Sequence, residues 1–213
     1  MTTLARAYRD SLAAILEHSR PEAPTLCEGW NCADLAEHLY VRENDPLAAP
    51  GLLIPALAGL TQDRMSRAMD SLGYLGLVDA FSHGPKPWSP MRIPAVDRLA
   101  NGVEYFVHHE DVRRAQPGWS PDVLPGEELS NELWQQLAIV AKRLSRACPS
   151  GLRLERSDVA SARPIVVKPG DVIVTARGHA AELTLWVYGR AARVEFIGDP
   201  PAVEAVEKMS RAL

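Results

Sequence analysis

Glu104-Tyr105-Phe106-Val107-His108-His109-Glu110-Asp111-Val112-Arg113-Arg114 is the stretch on which the reading of this chain turns. It holds no Gly or Pro and reads as the middle of a helix. Glu104 and His108 stand four apart, so on a helix of 3.6 residues per turn they share one face, one turn apart. A carboxylate and an imidazole so placed can close on one metal ion, and both are good zinc ligands. A third donor must come from elsewhere. The best candidate is His38, in Asp34-Leu35-Ala36-Glu37-His38-Leu39, which also reads as helix. A Glu and a His at this spacing are often no more than a pair on a solvated face. Here Tyr105, Phe106, Val107 and Val112 make the helix partly buried, and a buried Glu wants a partner.

The chain has 213 residues, which allows one large domain or a main domain with a small appendage. An apolar content of 46% supports an ordinary core, and a net charge of -4 gives no electrostatic footprint for nucleic acid. No run of apolar residues is long enough for a transmembrane helix. The N-terminus lacks the apolar core of a signal peptide, so a cytoplasmic location is expected. Cys27, Cys32 and Cys148 are odd in number and irregular in spacing, so they do not suggest a disulfide framework. They read as small buried or half-buried thiols.

Leu4, Tyr8, Leu12, Ile15 and Leu16 form one stripe of a first helix over residues 3–19, closed by Pro21 and Pro24. Asn31 is a good N-cap for a second helix from about Cys32 to Glu43, with Asp34 as its acidic partner in the manner of a capping box. Leu35, His38 and Leu39 share the inner face of that helix. A short helix over Leu52–Leu60 and another over Gln62–Leu72, continuing weakly past Gly73 towards Phe81, come next. Ser82 to Pro94 is irregular and carries four prolines. The long helix with Glu104 and His108 runs from there to Gln116-Pro117-Gly118. Glu127–Ala147 is the next helix, with Leu129, Leu133, Leu137 and Val140 inward. Four long helices with shorter accessory pieces predict an antiparallel bundle, and bundles build metal sites from facing helices.

After residue 150 the pattern changes. Leu152–Glu155 alternates, and Pro164–Val167 and Asp171–Thr175 are β-branched and flank Pro169-Gly170, a hairpin signal. His179–Arg190 returns to a helical stripe, Arg193–Ile197 reads as a strand and Pro201–Leu213 as a closing helix. The expected architecture is mostly α: a helical bundle over residues 1–150 and a small α+β domain over residues 151–213.

His38, Glu104 and His108 would supply three protein ligands and leave one position open, as catalytic zinc sites do. Zinc with one carboxylate and two neutral imidazoles keeps a single positive charge, which favours an anionic fourth ligand such as hydroxide or thiolate. His109 is rotated by about 100° from His108 on an ideal helix, so it does not readily face the same ion. His109, Glu110 and Asp111 are expected behind the ligands or on the surface. Arg42 and Arg190 are candidate contacts for a substrate carboxylate.

Gly29-Trp30-Asn31-Cys32-Ala33-Asp34-Leu35-Ala36-Glu37-His38-Leu39 resembles the GW-x-x-x-DL-x-x-HL motif of the DinB/YfiT-like proteins. More narrowly, it resembles the mycothiol-dependent maleylpyruvate isomerase family of actinobacteria. Glu104-x-x-x-His108 matches the second half of that family's His/Glu/His zinc site, and Leu185-Trp186-Val187-Tyr188-Gly189-Arg190 resembles its C-terminal motif. The resemblance spans nearly the whole chain. It implies a DinB-like four-helix bundle, a divalent metal at His38, Glu104 and His108, and mycothiol as thiol cofactor. It also implies thiol addition to an electrophilic small molecule, followed by isomerisation or S-transfer. His109-Glu110-Asp111 directly after His108 departs from the best-known members, so maleylpyruvate is not carried over as substrate.

Two other classes fit the same residues. One is a metal-dependent hydrolase of a thiol conjugate or amide, with hydroxide at the open position. The other is a non-catalytic metal- or thiol-binding protein. A di-iron bundle lacks its Glu-x-x-His pairs, and a His-Glu-x-x-His protease motif is absent.

Overall fold

A computed structural model of the chain describes residues 2–46, 48 and 58–209. Among the described residues the fold is mostly α, with seven α-helices and one four-stranded sheet. The predicted helix over Leu52–Leu60 falls largely on residues 51–57, outside the described residues, as do the last residues of the predicted closing helix.

The chain divides into two compact units, Met1–Pro121 and Asp122–Leu213. The first contains α1 (Leu4–Glu17), α2 (Cys32–Asn44), α3 (Ala58–His83), a 3-10 turn (Pro90–Arg92) and α4 (Pro94–Ala115). Thr3 caps α1 by accepting the Arg6 N–H, and Leu4, Tyr8, Leu12 and Leu16 are buried, as the stripe required. α1 packs on α4 and on α3, and α2 packs on α3. α3 is longer than its periodicity suggested. Gly73, at φ 64° and ψ 169°, is not helical, so α3 is two helical segments joined at a kink there.

The second unit contains α5 (Glu127–Leu144), β1 (Gly151–Arg156), β2 (Ile165–Lys168), β3 (Ile173–Gly178), α6 (Ala180–Val187), β4 (Glu195–Ile197) and α7 (Pro200–Glu207). The division therefore falls before α5, not near residue 150 as the change of pattern suggested. The physical reason is packing: Leu137 and Ala141 of α5 share a core with Leu152, Leu154, Val174 and Trp186. Periodicity shows that α5 has an apolar face but not what covers it. Among the described residues of the first unit, α3 therefore stands with α1, α2 and α4 where the sequence suggested α5.

The predicted hairpin does not form. The sheet order is β2-β1-β3-β4, so β1 lies between the two strands that flank Pro169-Gly170. β1 pairs antiparallel with β2 and parallel with β3, in a register that sets Leu152 opposite Val174 and Leu154 opposite Ala176. The Gly151 N–H donates to the Val172 carbonyl at 2.9 Å, where the β2–β3 connection crosses the start of β1. A Cβ at Gly151 would meet that carbonyl oxygen at 2.8 Å, so only glycine fits the crossing. The chain bends at Asp171-Val172, just after Pro169-Gly170, and β1 pairs with both flanking strands instead.

A buried ion pair ties the first unit together. Arg9 of α1 is 4% exposed, and its guanidinium forks onto both carboxylate oxygens of Glu43 in α2. It also donates to the Phe81 carbonyl of α3 at 2.8 Å and to the Tyr105 hydroxyl of α4 at 3.0 Å. Tyr105 passes a hydrogen bond on to Glu43. The guanidinium carbon sits 4.9 Å from the ring centroids of both Phe81 and Tyr105. Removing one partner of such a pair leaves an uncompensated buried charge, at a cost of about 3–5 kcal/mol, whereas replacing both with apolar groups is often close to neutral. Arg9→Met should therefore lower stability by about that amount, and Arg9→Met with Glu43→Leu should recover most of it. Urea unfolding of the two variants measures both.

Candidate metal centre

Residues 24–31 place one wall of the site. Asn31 Oδ1 accepts the backbone N–H groups of Ala33 and Asp34 at 2.9 and 3.0 Å, and Asp34 returns a bond to the Asn31 N–H at 2.9 Å. This is the expected capping box, and it fixes the start of α2 about two turns before His38. In the preceding loop, the Thr25 hydroxyl accepts from the Cys27 N–H at 3.1 Å and donates to the Trp30 carbonyl at 2.8 Å. Gly29 closes that turn at φ +76°, a conformation that side chains beyond glycine rarely adopt. The loop is stitched to α4 by the Leu26 N–H, which donates to the Asp111 carbonyl at 3.0 Å. Trp30 then lies against His38, with ring centroids 5.0 Å apart.

The opposite wall is α4. Glu104 and His108 meet as their spacing predicted, with His108 Nε2 at 3.2 Å from Glu104 Oε1. His38 Nε2 comes to 3.5 Å from the same oxygen. The donors around a tetrahedral zinc with bonds of about 2.0–2.1 Å lie roughly 3.3 Å apart, so the two separations already have the scale of a coordination edge. His38 and His108 are each 8% exposed, and their rings cross at 71°. His38 lacks a hydrogen-bond partner on either ring nitrogen. A buried polar group left unpaired costs about 1–3 kcal/mol, and a cation among the three side chains would remove that cost. The residues present fit a divalent metal.

The charges in the site are coupled. Burial alone would raise the Glu104 carboxyl, but the hydrogen bond to His108, the nearby His38 ring and the charges of His108 and Arg42 hold it well below the usual carboxylate range. Burial pushes the His38 imidazole down, opposed by Glu104. Burial would also lower His108, but hydrogen bonds to Asp111, Cys27 and Glu104 outweigh it and hold its imidazole well above the ordinary range.

Behind His108, Nδ1 lies 3.2 Å from Oδ2 of Asp111, a fully buried carboxylate. A carboxylate on the far nitrogen of a ligating His orients the ring and sets its tautomer, leaving Nε2 to face the metal. The Cys27 thiol donates to the same Asp111 oxygen at 3.1 Å. The spacing of His108 and Asp111 was legible in the sequence, and Asp111 was placed only loosely behind the ligands. Nothing in the sequence pointed to Cys27, because its approach to α4 depends on the loop.

Arg42 also reaches the site, with Nε 3.6 Å from Glu104 Oε1. Its terminal nitrogens go to Asn101 Oδ1 and, at 2.7 Å, to the Ala100 carbonyl. Arg42 is thus engaged with α4, which bears on its expected role as a substrate contact. Arg190 belongs to the second unit, where its guanidinium donates to the Tyr188 carbonyl at 2.7 Å. His109 turns towards α1, where its Nε2 lies 3.0 Å from the Ser11 hydroxyl and its ring contacts Tyr8.

Comparison with solved structures matches the chain to the crystal structure of a mycothiol-dependent maleylpyruvate isomerase. The TM-score is 0.58 over 91% of this chain and 90% of that one, at 16% sequence identity. The likeness is one of fold. No protein-family model and no curated protein sequence matches the chain.

The site makes two predictions. His38→Ala, Glu104→Ala and His108→Ala should each lose most of about one bound divalent ion per chain, while His109→Ala keeps it, as read by metal analysis after dialysis. Metal must also compete with the proton that Asp111, Cys27 and Glu104 stabilise on His108. That pKa is raised, so the proton is held more tightly than on an ordinary imidazole. Metal binding should therefore release protons, and affinity should fall as pH is lowered. Calorimetry in buffers of different ionisation enthalpy counts the protons.

Proposed function

We propose that this protein is a metal-dependent, mycothiol-using enzyme that adds a thiolate to an electrophilic small molecule, as an isomerase or S-transferase. The observation that carries the reading is His38, buried with both ring nitrogens unpaired and aimed at the Glu104–His108 pair. We take α1 to α4 as a DinB-like four-helix bundle and His38, Glu104 and His108 as the ligands that would hold zinc. The likeness of fold to a mycothiol-dependent isomerase supports mycothiol as the thiol, and a cytoplasmic location is part of the same proposal.

When bound, zinc would supply Lewis acidity and would favour the thiolate form of a thiol near neutral pH, where a free thiol of pKa about 8.5 is mostly protonated. The protein's own residues do the rest. Glu104 balances one of the two metal charges, and the neutral imidazoles leave the site a net cation that attracts an anionic thiolate. Arg42, held by Asn101 and Ala100, fixes the Glu104 carboxylate and adds positive charge at the rim. Asp111 orients His108. Trp30 packs on His38 and restricts the approach of water from the loop side. For the electrophile, Arg42 remains the proposed contact with a carboxylate.

Cobalt(II) in place of zinc tests this, since sulfur coordination gives an intense charge-transfer band. Adding mycothiol should produce the band with release of a proton, and His108→Ala should not show it. Cysteine or glutathione should give a weaker band. Metal uptake with no band for any thiol, together with turnover of an amide or thiol conjugate without added thiol, overturns the reading in favour of a metal-dependent hydrolase.

A further inference from the structure

We propose that Cys27 is a positioning residue for the metal centre, acting through Asp111 on His108. The proposal rests on the metal site of the preceding reading but not on its thiol chemistry. Asp111 Oδ2 receives two donors at once, His108 Nδ1 at 3.2 Å and the Cys27 thiol at 3.1 Å. The sulfur also lies 3.6 Å from His108 Nδ1, so the three groups form a closed triangle behind the imidazole. Asp111 is fully buried, whereas Cys27 is half-buried.

The geometry gives the thiol a definite task. A carboxylate that swings about its Cβ–Cγ bond loses its hold on the imidazole. With the thiol on the same oxygen, the oxygen is pinned in the direction that points Nε2 at Glu104. The backbone reinforces this, because Leu26, next to Cys27, donates its N–H to the Asp111 carbonyl. One loop thus holds both the main chain and the side chain of Asp111. Groups that orient a metal-ligating His typically change metal affinity by about 10–100-fold when removed. A neutral thiol acting one step further back belongs at the lower end of that range.

The test is chelator competition for zinc on the whole protein, with cobalt spectra and thermal unfolding of the metal-free form alongside. Cys27→Ala should weaken metal binding by about tenfold. Cys27→Ser, which keeps a donor, should stay within about threefold of wild type. In an Asp111→Asn background, Cys27→Ala should have little further effect, because the group it acts through is gone. The metal-free melting temperatures of Cys27→Ala and Cys27→Ser should agree, which separates positioning from simple destabilisation. If Cys27→Ala fails to fold, Cys27→Val, which also removes the donor, takes its place in the same comparisons. Unchanged affinity in Cys27→Ala, or additive losses with Asp111→Asn, overturns the proposal. So does a sulfur-to-cobalt band in wild type without added thiol that disappears in Cys27→Ser, since Cys27 is then itself a ligand. Absence of metal uptake by wild type defeats the metal reading first, and this proposal with it.

Discussion

The buried Arg9–Glu43 pair is the constraint on which the first unit depends. A guanidinium at 4% exposure is tolerable only if its donors are met, and here they are met from three other helices. The pair therefore couples helix placement to electrostatics. α2 supplies the carboxylate, α3 a backbone carbonyl and α4 a hydroxyl, so a shift of any one of them leaves a charge or a donor unpaired in the core. The aromatic faces of Phe81 and Tyr105 enclose the cation and exclude water.

That network lies one residue from the candidate metal centre on two helices. Glu43 follows Arg42, and Tyr105 follows Glu104. Neighbouring residues on a helix point about 100° apart, so what the network fixes on one side of α2 and α4 it also fixes on the next. Glu104 is offered to His38 and His108 because Tyr105 is held inward. Arg42 reaches Glu104 because Glu43 is held by Arg9. The site is thereby pre-organised by groups that never touch it, as a centre holding ligands near coordination distance requires.

The second unit has its own logic. Leu152 and Leu154 alternate with exposed Arg153, as expected of a sheet with one covered face. The order β2-β1-β3-β4 places β1 and β3, each with four buried positions, in the middle, while the short β4 takes an edge. α6 is buried along its whole length, and His179 caps it by accepting the Ala181 N–H at Nδ1. α5 covers this core as well, which is why the division between the units precedes it.

Local rules were enough for much of this. The stripe of α1, the capping box of α2 and the strand positions after residue 150 follow from periodicity and cap chemistry, which act within a few residues. The pairing of Glu104 with His108 also follows, because one helical turn determines it. What the sequence could not determine was which surfaces meet. The fold decided that α5 joins the sheet, that β1 separates the two strands around Pro169-Gly170, and that Arg9 finds Glu43 across thirty-four residues. It also decided that His38 faces Glu104 and that the loop before α2 brings Cys27 to Asp111. Each of these depends on long-range burial, where a residue's partner is set by the volume and charge left over by all the others, and no spacing along the chain encodes that.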